Sequence, residues 1–265
     1  MYVRPKKHLG QHFLTDLSVA RRIAGSLKAD RCRSVLEVGC GTGVLTQFLL
    51  QRDDIMLYGA EVDRESVAYL HENYPQFSDR LIEGDFLKMD LEQRFQEGVN
   101  IIGNFPYNIS SQIFFRILAY RDLVPEVVGM VQREVAVRIA EKPGTKDYGI
   151  LSVFLQAYYD IEYLFTVSEG VFNPPPKVKS AVIRLVRNGV KQLDCDEQLF
   201  VKVVKAVFNQ RRKTVRNSLR AVFGDFGGEE HDTFPLRPEV LGVDRFVDLT
   251  NWVEARLKNR ETTNP

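Results

Sequence analysis

The feature that most constrains this chain is a repeated local pattern. A short apolar run ends in glycine, an acid or an amide, and an amphipathic stretch follows. Residues 34–38 (Ser-Val-Leu-Glu-Val) run into Gly39-Cys40-Gly41-Thr42-Gly43, and residues 44–51 then carry a helical pattern. Residues 56–60 end at Glu61, residues 80–83 at Gly84-Asp85, and residues 99–103 at Asn104-Phe105-Pro106-Tyr107; residues 126–131 form a fifth run. Runs this short and this continuously apolar suit strands buried on both faces, with helices crossing between them. Right-handed crossovers bring the strand ends to one edge. The expected fold class is α/β, a Rossmann-like, mostly parallel sheet with helices on both faces. Its ligands belong outside the carboxyl ends of the strands.

The rest of the chain fits around that sheet. A helix is expected from Leu17 to about Leu27, capped by Thr15 or Asp16, with further helices over 64–74, 112–120, 133–141 and 148–159. Residues 162–167 and 180–186 read as an antiparallel pair closing the sheet. After Arg187 the pattern changes to helices over 197–208, 211–223, 238–241 and 244–257, with a disordered tail from Asn259. Two domains are therefore expected, 1–187 with a basic lead-in and 188–265, a small all-α domain. No apolar run approaches membrane-spanning length. The basic N-terminus lacks the apolar region of a secretory signal. Cys32, Cys40 and Cys195 have no metal-binding or disulfide spacing and suit a reducing cytoplasm. His8, His12, His71 and His231 are scattered, so no metal is expected. Net charge is +1, but its distribution is uneven: residues 205–220 carry six cations and no acid. Arg211, Arg212, Lys213 and Arg216 there, with Arg4, Lys6 and Lys7, could meet nucleic-acid phosphates or form a solvated helix face.

The strand ends carry the chemistry. Gly39 and Gly41 permit a tight turn and close approach of a ligand. A nicotinamide-cofactor turn looks similar, but the G-x-G-x-G spacing and the acid at Glu37 resemble motif I of S-adenosylmethionine (SAM) methyltransferases. Glu61 is placed to accept from ribose hydroxyls and Asp85 from the cofactor's adenine amine; each also reads as a solvated strand-end carboxylate. Asn104 offers an amide oxygen. Pro106 removes a backbone donor and favours an extended Phe105, whose carbonyl is then free to accept. Tyr107 adds a face on which a base can stack. Two acceptors beside a stacking plate suit an exocyclic amine with two N–H groups. An Asn-Pro turn uses the same residue types, yet the tetrad resembles the (N/D/S)-(P/I/L/F)-P-(Y/F) motif of amino-methyltransferases.

Five motifs occur in order: Gly10-Gln11-His12-Phe13-Leu14, Glu37 to Gly43, Asn104 to Ser110, Phe172 to Val178, and Phe208 to Thr214 with Arg216 to Leu219. Together they resemble the bacterial small-subunit rRNA adenine dimethyltransferase family over residues 4 to about 250. The resemblance implies SAM as cofactor, held by His12, Leu14, Gly39, Glu61, Asp85 and Asn104. It implies that Tyr107 and Phe172 sandwich the target adenine. It implies dimethylation of N6 on two adjacent adenosines near the 3′ end of 16S rRNA, within an immature small subunit. A cytoplasmic monomer with no membrane partner is expected. Three positions depart from the family's usual residues: His12 stands where Asn is common, Phe105 where Leu is common and Cys40 where Pro is common. Other readings are a resistance methyltransferase of the large subunit, a ribosome-assembly factor whose methylation is dispensable, and a NAD-dependent dehydrogenase. The last has no use for residues 104–107.

Overall fold

The computed structural model describes residues 3–263. Its strands are β1 (Phe13–Leu14), β2 (Ser34–Val38), β3 (Met56–Glu61), β4 (Leu81–Glu83), β5 (Asn100–Asn104), β6 (Glu126–Gln132), β7 (Tyr159–Val167), β8 (Phe172–Asn173) and β9 (Ser180–Arg187). Its helices are α1 (Leu17–Ser26), α2 (Thr46–Leu49), α3 (Arg64–Asn73), α4 (Leu91–Arg94), α5 (Ser110–Ala119), α6 (Arg133–Ala140), α7 (Ile150–Gln156), α8 (Glu197–Phe208), α9 (Val215–Phe223) and α10 (Val243–Thr263).

Seven strands form one sheet in the order β4-β3-β2-β5-β6-β9-β7. The five strands from β4 to β6 are parallel, and β9 runs antiparallel to both β6 and β7. Val35, Leu36, Ile101 and Ile102 are fully buried, as strands covered on both faces require. From β2 the chain steps outward to β3 and β4, then returns to β5 on the other side. Right-handed crossovers in opposite directions place helices on opposite faces, so the crevice between β2 and β5 is the topological switch point. Carboxylates start several of the helices: Asp16 Oδ1 accepts from the Ser18 and Val19 N–H groups (2.8 and 3.2 Å) at α1, and Asp63 caps α3.

The chain divides into two compact units, Met1–Val137 with Tyr159–Asn188, and Arg138–Tyr158 with Gly189–Pro265. A single cut after residue 187 leaves out the excursion through 138–158. The reason lies in α7, expected as an amphipathic helix over 148–159. It is apolar nearly all round and buries Leu151, Val153, Phe154 and Leu155. Phe154 packs on Phe200 of α8, with ring centroids 6.1 Å apart. The following strand starts early because Tyr159 is buried and its hydroxyl donates to the Val124 carbonyl at 3.0 Å.

Two further expectations are corrected. Residues 211–214 form a turn, and α9 begins only at Val215. Arg211 Nη2 donates to the Lys146 and Tyr148 carbonyls (2.7 and 2.8 Å), which holds the backbone out of helix. At the C-terminus α10 runs to Thr263 in place of a disordered tail from Asn259; residues 264–265 lie outside the described residues. The lead-in also forms a strand: β1 pairs with β8, Leu14 opposite Phe172. Among the described residues no helix is long and apolar enough to cross a membrane.

Candidate active site

A cleft of about 240 Å³ lies at the carboxyl edge of β2, β3, β4 and β5, and the lead-in contributes residues 9–14 to its lining. Its floor is the glycine turn after β2. Gly39, Gly41 and Gly43 all have positive φ (76°, 55° and 77°), a region L side chains rarely adopt. A Cβ on Gly39 would meet nothing closer than 3.9 Å, so it would project into the space left open for a ligand.

Two carboxylates flank that turn. Glu61, at the end of β3, accepts from the Gly41 N–H at 2.8 Å and from the Val62 and Asp63 N–H groups, both at 2.9 Å. Glu37, 1% exposed, accepts from the Thr46 hydroxyl at 2.7 Å. Burial pushes the Glu37 carboxyl up to about 8; the Thr46 hydroxyl opposes this and the neighbouring Glu61 adds to it. Burial also raises Glu61, against its three backbone donors. Asp85 lies at the rim after β4, with one oxygen on the Leu87 N–H at 2.9 Å. Gly39 and Gly41, Glu61 and Asp85 thus line one cleft in the order expected, and this open floor between acids fits the adenosyl part of SAM.

The β5 end is built to expose acceptors. Asn104 Nδ2 donates to the His12 carbonyl at 2.9 Å, which leaves Oδ1 as the free acceptor of that amide. The Phe105 N–H bonds the Met130 carbonyl at 3.0 Å. The Phe105 ring is fully buried, edge-on to Phe114 with centroids 5.8 Å apart. Its carbonyl carries no bonded donor among the described residues. Tyr107 is held at its hydroxyl by Ser180 Oγ, 2.5 Å away, and its ring is stacked on His12 at 5.2 Å between centroids. Burial keeps the Tyr107 phenol above its ordinary value.

The lead-in is clasped from both ends. Lys6 pairs with Asp63, and Gln11 Nε2 reaches the same carboxylate at 3.4 Å. Burial pushes Asp63 up, but the Lys6, Gln11 and Ser66 donors outweigh it and hold it below its usual range. At the far end the Thr15 N–H donates to the Val171 carbonyl at 2.8 Å. His12 and Leu14 line the cleft. The His12 ring, however, is engaged by Tyr107 and by the Pro174 carbonyl, 2.8 Å from Nδ1.

Phe172 does not line the cleft. It is 4% exposed, packed into the core beside Leu14, because β8 pairs with β1. The second stacking face expected there is absent from this arrangement. The basic segment is likewise smaller than its sequence suggests. Arg216 pairs with Glu230 and Arg220 with Asp225, so the acids of 225–232 fold back on it. Arg211 is spent on two carbonyls. Arg212 and Lys213 are exposed, and their side chains have no hydrogen-bond or ion-pair partner among the described residues. Of the residues sequence reasoning missed, Asp63 had a signal, an acid just before a helical stretch. Ser180 had none, since it meets Tyr107 only through the tertiary fold; Lys6, expected among the phosphate contacts, is instead paired with Asp63 and Glu65.

A family model for ribosomal RNA adenine dimethylases matches residues 3–245. A ribosomal RNA small subunit methyltransferase A from Bacteroides thetaiotaomicron is 58% identical over 258 residues, covering 97% of this chain and 96% of its own length. Its counterpart from Cytophaga hutchinsonii is 52% identical over 255 residues, covering 96% and 99%. Among solved structures, a dimethyladenosine transferase from Plasmodium falciparum shares the fold at a TM-score of 0.76 and 23% identity, over 92% of this chain and 98% of its own. The 23S rRNA methyltransferase ErmE aligns at 0.66 and 25% identity, over 90% and 99%.

Proposed function

The chain belongs to the ribosomal RNA adenine dimethylase family, and from that premise we propose how its cleft carries out the reaction and on which RNA. It is a SAM-dependent methyltransferase that dimethylates adenine in ribosomal RNA. The relatives at 52–58% identity act, by name, on the small subunit, which favours 16S rRNA over the large-subunit target of ErmE. The proposed substrate is a pair of adjacent adenosines near the 3′ end, presented by an immature small subunit to a monomeric cytoplasmic enzyme.

SAM supplies an electrophilic methyl carbon on a sulfonium. In the proposed site Gly39 and Gly41 leave room for it, Glu61 accepts from the ribose hydroxyls and Asp85 uses its outer oxygen on the adenine amine. Leu14 and the His12 backbone close the cleft over it. The target adenine leaves its stack, which costs a few kcal/mol and less in a loop. Stacking on Tyr107 returns about 1–3 kcal/mol. Asn104 Oδ1 and the Phe105 carbonyl each accept one N6–H, which draws the nitrogen lone pair out of conjugation and aims it at the methyl carbon. Catalysis is chiefly positioning and electrostatics. Arg212 and Lys213 are the proposed phosphate contacts of the helical part of the chain.

One observation carries this reading: the Asn104 amide is turned so that its NH₂ is occupied by the His12 carbonyl and its oxygen is free. Asn104→Ala should abolish methyl transfer from labelled SAM to undermethylated small subunits while rRNA binding persists. Normal methylation by that variant would remove the site assignment. A methylation-dead Asn104→Ala that still binds rRNA and fully supports small-subunit assembly would favour the assembly-factor reading.

A further inference from the structure

The cations of the helical part of the chain are not all placed alike. Arg212, Lys213 and Arg220 line an open groove of about 580 Å³ with Thr214, Asn217 and Ala221, and among the described residues no acid contributes to its wall. Arg216 and Arg220 are four residues apart on α9, so their side chains share a face about 6 Å apart. Helix α9 carries no acid of its own. Its two arginines are met instead by the segment that follows. Arg216 Nη1 pairs with Glu230, its Nη2 donates to the Gly227 carbonyl at 3.2 Å, and Arg220 pairs with Asp225 at 2.7 Å.

That segment is held where it lies. Gly224 and Gly227 take positive φ (80° and 64°), which turns the chain back toward the helix. Phe226 between them is buried, edge-on to Trp252 with centroids 5.1 Å apart. Glu229 pairs with Arg256 of α10 at 2.5 Å. The two carboxylates on α9 are held less firmly: the Asp225 and Glu230 side chains are 54% and 67% exposed. Ion pairs this exposed are weak and screened by salt. The arginine is the better-held partner, since the Arg216 guanidinium also lies over the Phe234 ring, 5.5 Å from its centroid. A phosphate offers that guanidinium the same paired oxygens as a carboxylate does.

We propose that Arg216 and Arg220 are two further contacts for the phosphates of the substrate RNA, and that Asp225 and Glu230 are a built-in competitor which those phosphates displace. This rests on the reading that the helical unit meets RNA through Arg212 and Lys213. Exchange leaves a particular ionic balance. A phosphate that takes an arginine sheds its counterion, and the carboxylate it displaces gathers one from solution. The two steps nearly cancel, so a covered arginine adds little to the salt dependence of binding, whereas an uncovered one adds a full share. The competitor thus loosens the grip on RNA without removing the contact, which eases release of the methylated product.

The test is the affinity of the full chain for undermethylated small subunits, measured between about 50 and 200 mM salt. Asp225→Asn/Glu230→Gln should bind up to about 10-fold more tightly at the low end. Its slope of log affinity against log salt should steepen by about 0.7–0.9 for each arginine uncovered. Adding Arg216→Ala and Arg220→Ala to that variant should return the slope to the wild-type value. Glu92→Gln/Glu97→Gln, which removes two exposed acids from the other unit, should leave the slope as it is. Melting checks that each variant is folded. An unchanged slope in Asp225→Asn/Glu230→Gln, a gain that survives loss of both arginines, or an equal gain from the Glu92 and Glu97 changes would each overturn the proposal. If Arg212→Ala lowers the slope while Asp225→Asn/Glu230→Gln leaves it unchanged, only the competitor falls. If neither changes it, the reading of the helical unit as an RNA surface falls as well.

Discussion

Gly129→Ala tests how the catalytic tetrad is held, and its cost can be worked from the structure. Gly103 and Gly129 face each other across β5 and β6, and the Phe105 ring sits in the slot they leave. A Cβ on Gly129 would lie 2.5 Å from Phe105 Cε2, 3.0 Å from Cδ2 and 3.2 Å from Cζ. Carbon pairs rest near 3.5–4.0 Å, so the ring must retreat by about 1 Å. It has nowhere to go: Phe114 meets it edge-on, and its other edge already lies 3.1 Å from where a Gly103 Cβ would be. Overpacking of this kind costs about 1–3 kcal/mol, which exceeds the gain of about 0.5–1 kcal/mol when a strand glycine becomes alanine. The displacement passes directly to the Phe105 carbonyl and to Asn104 beside it, and a misplacement of about 1 Å can lower a rate by up to 10². Urea unfolding and single-turnover methylation should therefore fall together. Phe105→Leu removes the ring atoms that clash, so the double variant should be more stable than the sum of the singles by about 1 kcal/mol or more. Additive singles, or Gly129→Ala with wild-type stability, would refute the slot argument.

Glu37 gives a pH signature. Its carboxyl is raised from 4.5 to about 8 in the folded chain, so the folded state holds more protons than the unfolded one between those values. Its stabilising contribution is complete below about 4.5 and is lost as pH rises toward 8. Glu37→Gln should melt less pH-dependently over that window, with its greatest relative gain at pH 8; parallel curves would contradict the burial argument. The basic turn should split by residue. Arg212→Ala or Lys213→Ala should each reduce the slope of log affinity against log salt by about 0.7–0.9. Arg211→Ala should lower stability instead, because it frees the Lys146 and Tyr148 carbonyls; a salt-slope change with unaltered stability would reverse the assignment.

Much of the sheet was legible because its signals are local. A buried strand must be apolar throughout, and its end must turn, so Glu61, Asp85 and Asn104 stand out where the apolar runs stop. The glycine turn was legible for the same reason: three left-handed positions accept little else. What sequence could not show depends on partners far along the chain. Ser180 meets the Tyr107 hydroxyl across 73 residues. The His12 contribution to Asn104 comes from its backbone carbonyl, which no side-chain pattern reveals. Phe172 carries an aromatic motif position, yet the pairing of β8 with β1 turns it into the core. Arg216 reads as a free cation until Glu230, 14 residues on, folds back to meet it. Residues 148–159 read as amphipathic because Tyr148, Tyr158 and Tyr159 have hydroxyls, while tertiary packing buries all three.

The most direct measurement is a crystal of this chain soaked with adenosine and sinefungin, a SAM analogue. The adenine should lie on Tyr107, with N6 within about 3 Å of both Asn104 Oδ1 and the Phe105 carbonyl. A nucleoside seated elsewhere, or an Asn104 amide turned to present Nδ2 to N6, would contradict it.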